Sequence, residues 1–190
     1  MRLFVTLELR EDVRQAMREL IARLKPLGKG ARWVRPEGMH ITLKFIGEMD
    51  AKNLEAIRAA LAPIRSPQPV EMYFRGVGFF PDERRPRVAW CGIEASANMA
   101  KLAADIESVL ESLGPLGIER ESRDFAPHLT LARFNPPGRA DELVRAANEL
   151  QSHEFGSARE TEFHLFESIL GRSAAEYKKL ASYPFVKEPA

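Results

Sequence analysis

HITLKF (residues 40–45) and HLTLAR (residues 128–133) both begin with a histidine, an aliphatic residue, a threonine and a leucine. The chain has 190 residues and four histidines, so half of its histidines open this repeated motif. The two copies lie 128 − 40 = 88 residues apart, which is close to half of the chain. A motif repeated at that spacing indicates an internal duplication, and two copies are too few for a solenoid.

Predicted elements follow the same order around both copies: strand, helix, motif strand, helix, strand. β-rich or alternating segments predict strands at residues 3–9, 31–34, 40–47, 70–80, 86–94, 128–134 and 162–170. Apolar residues at helical spacing predict helices at residues 13–24, 54–64, 99–113 and 140–150. One more short helix is expected within residues 174–185.

This order predicts an α+β fold with two pseudo-symmetric lobes. Each lobe is expected to hold an antiparallel sheet with helices on its outer face, and the active-site cleft is expected between the lobes. Residues 1–190 would then form one bilobal domain. Its first repeat would cover about residues 1–80, its second about 85–170, and its C-terminal tail residues 171–190.

The composition excludes several classes of protein. The chain carries 28 basic and 27 acidic residues, a net charge of +1, which disfavours wrapping of long nucleic acid by bulk electrostatics. Its one cysteine, Cys91, excludes an intramolecular disulfide and fits a reducing compartment. No segment approaches the ~20 apolar residues of a membrane-spanning helix. We therefore expect a cytoplasmic protein without membrane association.

The repeated motif has a direct chemical use. Side chains alternate between the faces of a strand, so His40 shares a face with Thr42, and His128 with Thr130. Two imidazoles across a cleft can act as general acid and general base, and hydroxyls can bind phosphate oxygens. A single His-x-Thr is more often a structural pair, but two matched copies favour catalysis. Phosphodiester cleavage by such a set requires no metal.

Other candidate residues surround the motifs. Lys44 continues the alternation of the first motif, so it is expected on the face of His40, where it could attract phosphate. Arg133 falls on the face opposite His128 unless the strand bends, and could be a cation at the cleft rim. Phe79, or its neighbour Phe80, could stack on a terminal base, although core packing is expected for at least one of them.

The remaining polar clusters offer weaker signals. Arg84, Arg85 and Arg87 form a basic loop that could meet an RNA backbone, although most such runs are merely solvated. His153 and His164 lack the motif and are interpreted as exposed or edge histidines. No cysteine or carboxylate lies at a ligand spacing with either motif histidine, so neither a metal nor another cofactor is expected.

The segments RWVRPEGMHITLKFIG (residues 32–47) and FAPHLTLARF (residues 125–134) resemble the signatures of the two-histidine (2H) phosphoesterases. The similarity is strongest to the bacterial and archaeal RNA 2′,3′-cyclic phosphodiesterases, historically called 2′-5′ RNA ligases. It runs from RLFVTLEL (residues 2–9) to EYKKL (residues 176–180), nearly the whole chain.

This resemblance implies hydrolysis of a terminal RNA 2′,3′-cyclic phosphate to a 2′-phosphomonoester. It implies His40 as proton donor, His128 as proton acceptor, and Thr42 and Thr130 as phosphate-binding hydroxyls. The residues alone predict the histidine pair but not which member is the acid. The expected partner is RNA with 2′,3′-cyclic phosphate ends, and the protein is expected to be a monomer.

Two alternatives remain open at this stage. The same residues could catalyse the reverse reaction, in which a 5′-hydroxyl end and a cyclic phosphate form a 2′-5′ linkage. The chain could also be an RNA-end-binding module whose histidines no longer turn over substrate. The intact His-x-Thr pair in both copies argues against the second alternative, and water at high concentration favours hydrolysis over ligation.

Overall fold

The computed structural model describes residues 1–135, 139–170 and 175–186. Within these residues four α-helices and nine β-strands form two antiparallel sheets. The helices are α1 (Glu11–Leu24), α2 (Leu54–Leu61), α3 (Asn98–Glu111) and α4 (Asp141–Asn148). The strands are β1 (Arg2–Leu7), β2 (Ala31–Trp33), β3 (Ile41–Glu48), β4 (Val70–Phe80), β5 (Val88–Ala95), β6 (His128–Phe134), β7 (Glu154–Glu160), β8 (Glu162–Leu170) and β9 (Ala175–Pro184).

The two sheets exchange strands between the halves of the chain. Sheet A has the order β3-β1-β8-β9, and sheet B has the order β2-β6-β5-β4-β7. The order β3-β1-β8-β9 matches β6-β5-β4-β7, so the two sheets are related as a duplication predicts. However, β4 precedes the second repeat in sequence but pairs with β5, and β8 pairs with β1. The predicted α+β fold with two pseudo-symmetric lobes is confirmed.

Amphipathic helices cover the sheets. The buried face of α1 consists of the predicted residues Val13, Met17, Leu20, Ile21 and Leu24. Acidic Glu11 and Asp12 occupy its first turn, where their negative charge interacts favourably with the positive end of the helix dipole. Helix α1 packs against β7 and α4 against β4, both in sheet B, whereas α3 packs against β3 of sheet A and against α2.

Two strands differ from the sequence prediction. The helix expected within residues 174–185 is wrong: β9 pairs with β8 along its length and completes sheet A. Helix-forming residues such as Lys178, Lys179 and Leu180 are overridden because β8 offers a free edge. Strand β7 was not predicted, because its segment EFGSARE buries only Ala158 and lacks apolar alternation. An edge strand of this polarity carries little hydrophobic signal.

The motif strands share an irregularity at equivalent positions. In sheet A, Thr6 lies opposite Thr42 and Val5 opposite Lys44, so Leu43 is an extra residue in β3. In sheet B, Trp90 lies opposite Thr130 and Ala89 opposite Ala132, so Leu131 is an extra residue in β6. Such a bulge resets the alternation of side chains between the two faces. Each copy therefore shifts its register immediately after the motif threonine.

The bulge moves Lys44 away from the cleft. Its side chain is buried, and its Nζ donates to Glu107 Oε1 of α3 at 2.7 Å and to the carbonyl oxygen of Glu119 at 2.6 Å. Thr42, two residues earlier, is exposed. The prediction that Lys44 shares the face of His40 and binds phosphate is therefore wrong. The cation instead joins sheet A to α3 and to the segment that leads to β6.

Lys44→Ala should lower the free energy of unfolding by about 3 kcal/mol, because removing one partner leaves the Glu107 carboxylate without its cation. The matched control is Lys101→Ala, which removes an exposed ion pair with Asp105 on the same helix and should cost at most about 1 kcal/mol. Urea unfolding measures both. A normal unfolding curve with a raised KM for Lys44→Ala would return this lysine to the substrate site.

Candidate active site

The two motif histidines have the same local geometry. His40 directly precedes β3, and its Nδ1–H donates to the carbonyl oxygen of Gly38 at 3.0 Å. His128 begins β6, and its Nδ1–H donates to the carbonyl oxygen of Ala126 at 2.8 Å. A carbonyl oxygen can only accept, so Nδ1 carries hydrogen in both rings. The Nε2 atom of each ring is therefore the one available for proton transfer.

The motif threonines accompany the histidines as the alternation predicts. Thr42 is exposed and Thr130 is half-buried, while Ile41, Leu129 and Leu131 are buried in the core. Strands β3 and β6 contact one another although they belong to different sheets. The two His-x-Thr segments thus lie on strands that meet at the junction of sheet A and sheet B.

Aromatic rings surround the histidines unequally. The ring centroid of His40 lies 4.5 Å from that of Phe4 in β1 and 4.9 Å from that of Tyr177 in β9. His128 has one such neighbour, Phe80 in β4, with centroids 5.1 Å apart and the rings edge to face. Sequence reasoning missed Phe4 and Tyr177. Phe4 lies in an ordinary strand pattern, and Tyr177 lies in the segment that was expected to be helical.

Phe80, rather than Phe79, lies beside the ring of His128. Phe79 lies opposite Ala89, and both side chains are buried in the core. Phe80 is half-buried, contacts His128 and also lies 5.1 Å from the Trp90 ring. The choice of Phe79 as the base-stacking residue is therefore wrong. Phe79 and Phe80 are adjacent, and the sequence alone did not determine which of the two faces the core and which faces the cleft.

The bulge in β6 brings Arg133 to the cleft side. Arg133 is exposed between the buried residues Ala132 and Phe134, and its positive charge acts on His40 of the other sheet. The extra residue Leu131 is the bend that the sequence argument required for this position. Its role in substrate binding stays a prediction. The side chains of Arg84, Arg85 and Arg87 are exposed in and beside the loop between β4 and β5.

The surroundings of His40 favour its neutral form. The pKa of His40 is lowered to about 4, chiefly by burial; the Gly38 hydrogen bond opposes this shift, and the charges of Arg133 and Arg14 add to it. Burial and these two positive charges therefore disfavour the imidazolium form of His40 in the free protein.

The other two histidines have separate environments. His153 is exposed, as predicted. His164 is buried in β8, where its Nδ1 lies 2.9 Å from Ser182 Oγ and its Nε2 lies 3.6 Å from the Glu8 carboxylate. The interpretation of His164 as an exposed or edge histidine is wrong, because β8 lies between β1 and β9. Burial lowers its pKa, so the neutral ring is the favoured form.

In the part of the chain that the structure describes, no three or more histidine, cysteine, aspartate or glutamate side chains are grouped so that they could hold a metal ion. None of the helices in residues 1–135, 139–170 and 175–186 combines the length and apolarity needed to cross a membrane.

Known proteins share both the sequence and the fold of this chain. An RNA 2′,3′-cyclic phosphodiesterase of Archaeoglobus fulgidus is 34% identical over 183 residues, which cover 95% of this chain and 98% of the relative. An RNA 2′,3′-cyclic phosphodiesterase of Methanothermobacter thermautotrophicus is 33% identical and covers 89% of this chain, with 90% of its own length matched.

Solved structures agree with these relatives. TT0787 of Thermus thermophilus superposes with a TM-score of 0.81 and 29% identity over 100% of both chains. E. coli LigT complexed with 3′-AMP superposes with a TM-score of 0.75 and 25% identity over 98% of both chains. The family model of LigT-like phosphoesterases matches residues 7–90 and 93–177, one segment for each copy of the motif. The chain therefore belongs to the LigT-like phosphoesterase family.

Proposed function

We propose that this protein hydrolyses 2′,3′-cyclic phosphate ends of RNA to 2′-phosphomonoesters by metal-free acid–base catalysis. The observation that carries the proposal is the matched pair His40 and His128. Each donates Nδ1–H to a backbone carbonyl two residues upstream, and this leaves each Nε2 for proton transfer. The relatives named RNA 2′,3′-cyclic phosphodiesterases support the choice of substrate.

The proposed reaction is a single displacement at phosphorus. A water oxygen forms a bond to phosphorus as one histidine accepts its proton, and the bond from phosphorus to the ribose 3′-oxygen breaks. The other histidine gives its proton to that 3′-oxygen, which leaves a 3′-hydroxyl and a 2′-phosphate. The hydroxyls of Thr42 and Thr130 donate hydrogen bonds to the non-bridging oxygens, and Arg133 offsets their negative charge.

The resemblance implies that His40 is the proton donor and His128 the acceptor. A donor must be protonated in the complex, whereas the surroundings of His40 hold its pKa at about 4 in the free protein. The substrate phosphate supplies the missing interaction, because its negative charge favours the imidazolium and offsets Arg133. His40 would then acquire its proton together with the substrate. The reverse assignment needs no such rise in the pKa of His40.

Ligation is the same displacement with a 5′-hydroxyl oxygen, in place of water, as the nucleophile, and it leaves a 2′-5′ phosphodiester and a 3′-hydroxyl. An end-binding module would retain the RNA without changing it. Incubation with RNA that ends in a 2′,3′-cyclic phosphate, in the presence of EDTA, separates the three functions on a gel. Hydrolysis gives a 2′-phosphate end, ligation gives a longer strand, and binding alone leaves the cyclic end intact.

His40→Ala and His128→Ala should each lower kcat by about 10²–10⁴-fold, the usual contribution of a general acid or base. The double variant should be little worse than either single one, because the two residues act as a unit. His153→Ala is the matched control on an exposed histidine and should be fully active. A near-normal rate in either motif variant, or loss of activity in EDTA that magnesium or manganese restores, would refute the mechanism.

Thr42→Ala and Thr130→Ala should each lower kcat/KM by roughly 10–100-fold, since a hydrogen bond to a charged group contributes ~1.5–3 kcal/mol. Thr→Ser at the same positions keeps the hydroxyl and should restore most of the activity. Steady-state kinetics on a cyclic-phosphate substrate measures both pairs. Unchanged kcat and KM in both alanine variants would remove these hydroxyls from the site.

The titration of His40 tests its assigned role. In the free protein its pKa should be about 4, because burial and Arg133 disfavour the charged ring. Binding of a 2′-phosphate mononucleotide should raise that pKa towards neutrality, and the same linkage makes the ligand bind more tightly as the pH falls. NMR of the imidazole carbons, with His40→Ala to assign the signal, measures both values. A pKa that stays low in the complex would make His40 the acceptor and His128 the donor.

A further inference from the structure

A row of four side chains crosses sheet B from β4 to its edge strand. Phe80 of β4 lies opposite Val88 of β5, Val88 lies opposite Arg133 of β6, and Arg133 lies opposite Arg32 of β2. Directly opposite residues on neighbouring strands share a face of the sheet. Three inter-strand steps of ~4.8 Å give this row a length of about 14 Å. We call it the Phe80–Arg32 row.

The row lies on the cleft side of sheet B. At one end, the Phe80 ring contacts the ring of His128. At the other end, Trp33 follows Arg32 and packs against Gly28, where Leu143 of α4 also lies, so Trp33 is on the helix-covered side. Neighbouring residues in β2 point to opposite faces, and Arg32 is therefore on the cleft side and exposed.

Among the residues that the structure describes, the charges of the row lack a carboxylate counterpart. Arg32 and Arg133 are like charges directly opposite one another, an arrangement that destabilises a sheet. Some other arginines of the chain are paired with carboxylates, for example Arg14, Arg18 and Arg75. In residues 1–135, 139–170 and 175–186, no carboxylate forms an ion pair with Arg32 or Arg133. An anion from outside the chain would relieve the repulsion.

We propose that the Phe80–Arg32 row is the path of the RNA strand that leads away from the cyclic end, and that Arg32 binds a phosphate other than the one that is cleaved. This proposal rests on the proposed function and names its substrate class: oligonucleotide ends rather than cyclic mononucleotides. Phe80 offers a stacking surface beside His128, Val88 offers an aliphatic contact, and the guanidinium of Arg32 binds a backbone phosphate.

Arg32 and Arg133 differ in what they contact. Arg133 lies near enough to His40 to act on its charge, so it serves the phosphate that reacts. Arg32 lies one strand further out, at the edge of the sheet. A cyclic mononucleotide has one phosphate, and that phosphate is bound between the two histidines. It therefore has no second phosphate that Arg32 could bind. A longer strand has a further phosphate that Arg32 can bind, so Arg32 should contribute to the binding of oligonucleotides and not to that of cyclic mononucleotides.

The test compares a pentanucleotide that ends in a 2′,3′-cyclic phosphate with a 2′,3′-cyclic mononucleotide. Arg32→Ala should lower kcat/KM about tenfold on the pentanucleotide and leave the mononucleotide unchanged. The slope of log(kcat/KM) against log(salt) for the pentanucleotide should become shallower by about 0.7, the value of one phosphate contact in a single strand. Arg32→Lys should retain most of the salt dependence, because it keeps the charge.

Arg145→Ala is the matched control, because Arg145 is exposed on α4, which packs on the other face of sheet B. Binding of a labelled pentanucleotide with a 2′-phosphate end to the His128→Ala protein gives a readout that does not depend on turnover. If the wild-type protein hydrolyses neither substrate, the proposed function fails, and the binding assay still tests Arg32. Equal losses on both substrates, an unchanged salt slope, or the same effect from Arg145→Ala would overturn the proposal.

Discussion

A bulge just after the threonine of each motif strand decides which side chains reach the cleft. If Leu43 and Leu131 continued regular strands without these bulges, strict alternation would place Lys44 on the face of Thr42 and bury Arg133. With the bulges, each strand presents histidine and threonine to the cleft and turns the residue after leucine towards the helices. Lys44 consequently meets Glu107 of α3, and its equivalent Ala132 is buried. The bulges therefore fix the packing of sheet A against α3 and the arrangement of the proposed catalytic residues at once.

The two motif strands share the same backbone arrangement but differ in one side chain near the bulge. Two positions after the extra leucine, the first copy has Phe45 and the second has Arg133, which are 88 residues apart like the motifs themselves. Phe45 is exposed, with the guanidinium of Arg2 5.0 Å from its ring centroid. Arg133 instead acts on His40, which also lies between two aromatic rings. Two histidines with matched backbone hydrogen bonds thereby acquire different surroundings, as an acid and base pair requires.

The sequence predicted what depends on local pattern, and it missed what depends on pairing across strands. The motif alternation placed Thr42 and Thr130 with their histidines, and helical spacing located the buried face of α1. The faces of Lys44 and Arg133 depend on bulges, which are set by the partner strands β1 and β5. The choice between Phe79 and Phe80 depends on the register of β4 with β5. The segment of β9 forms a strand because it pairs with the free edge of β8, and local helix or strand propensity does not reveal that pairing.

Strand exchange explains why the two copies of the motif cannot act as separate units. The ring beside His128 is Phe80, which comes from β4, before the second repeat begins. One of the rings beside His40 is Tyr177, which comes from β9 near the end of the chain. Each histidine is thus completed by a residue from the other half of the sequence, held there by the pairing of β4 with β5 and of β8 with β1. A duplicated gene segment could not have supplied either complete histidine environment alone, so the exchange of β4 and β8 ties the catalytic geometry to the folding of the whole chain.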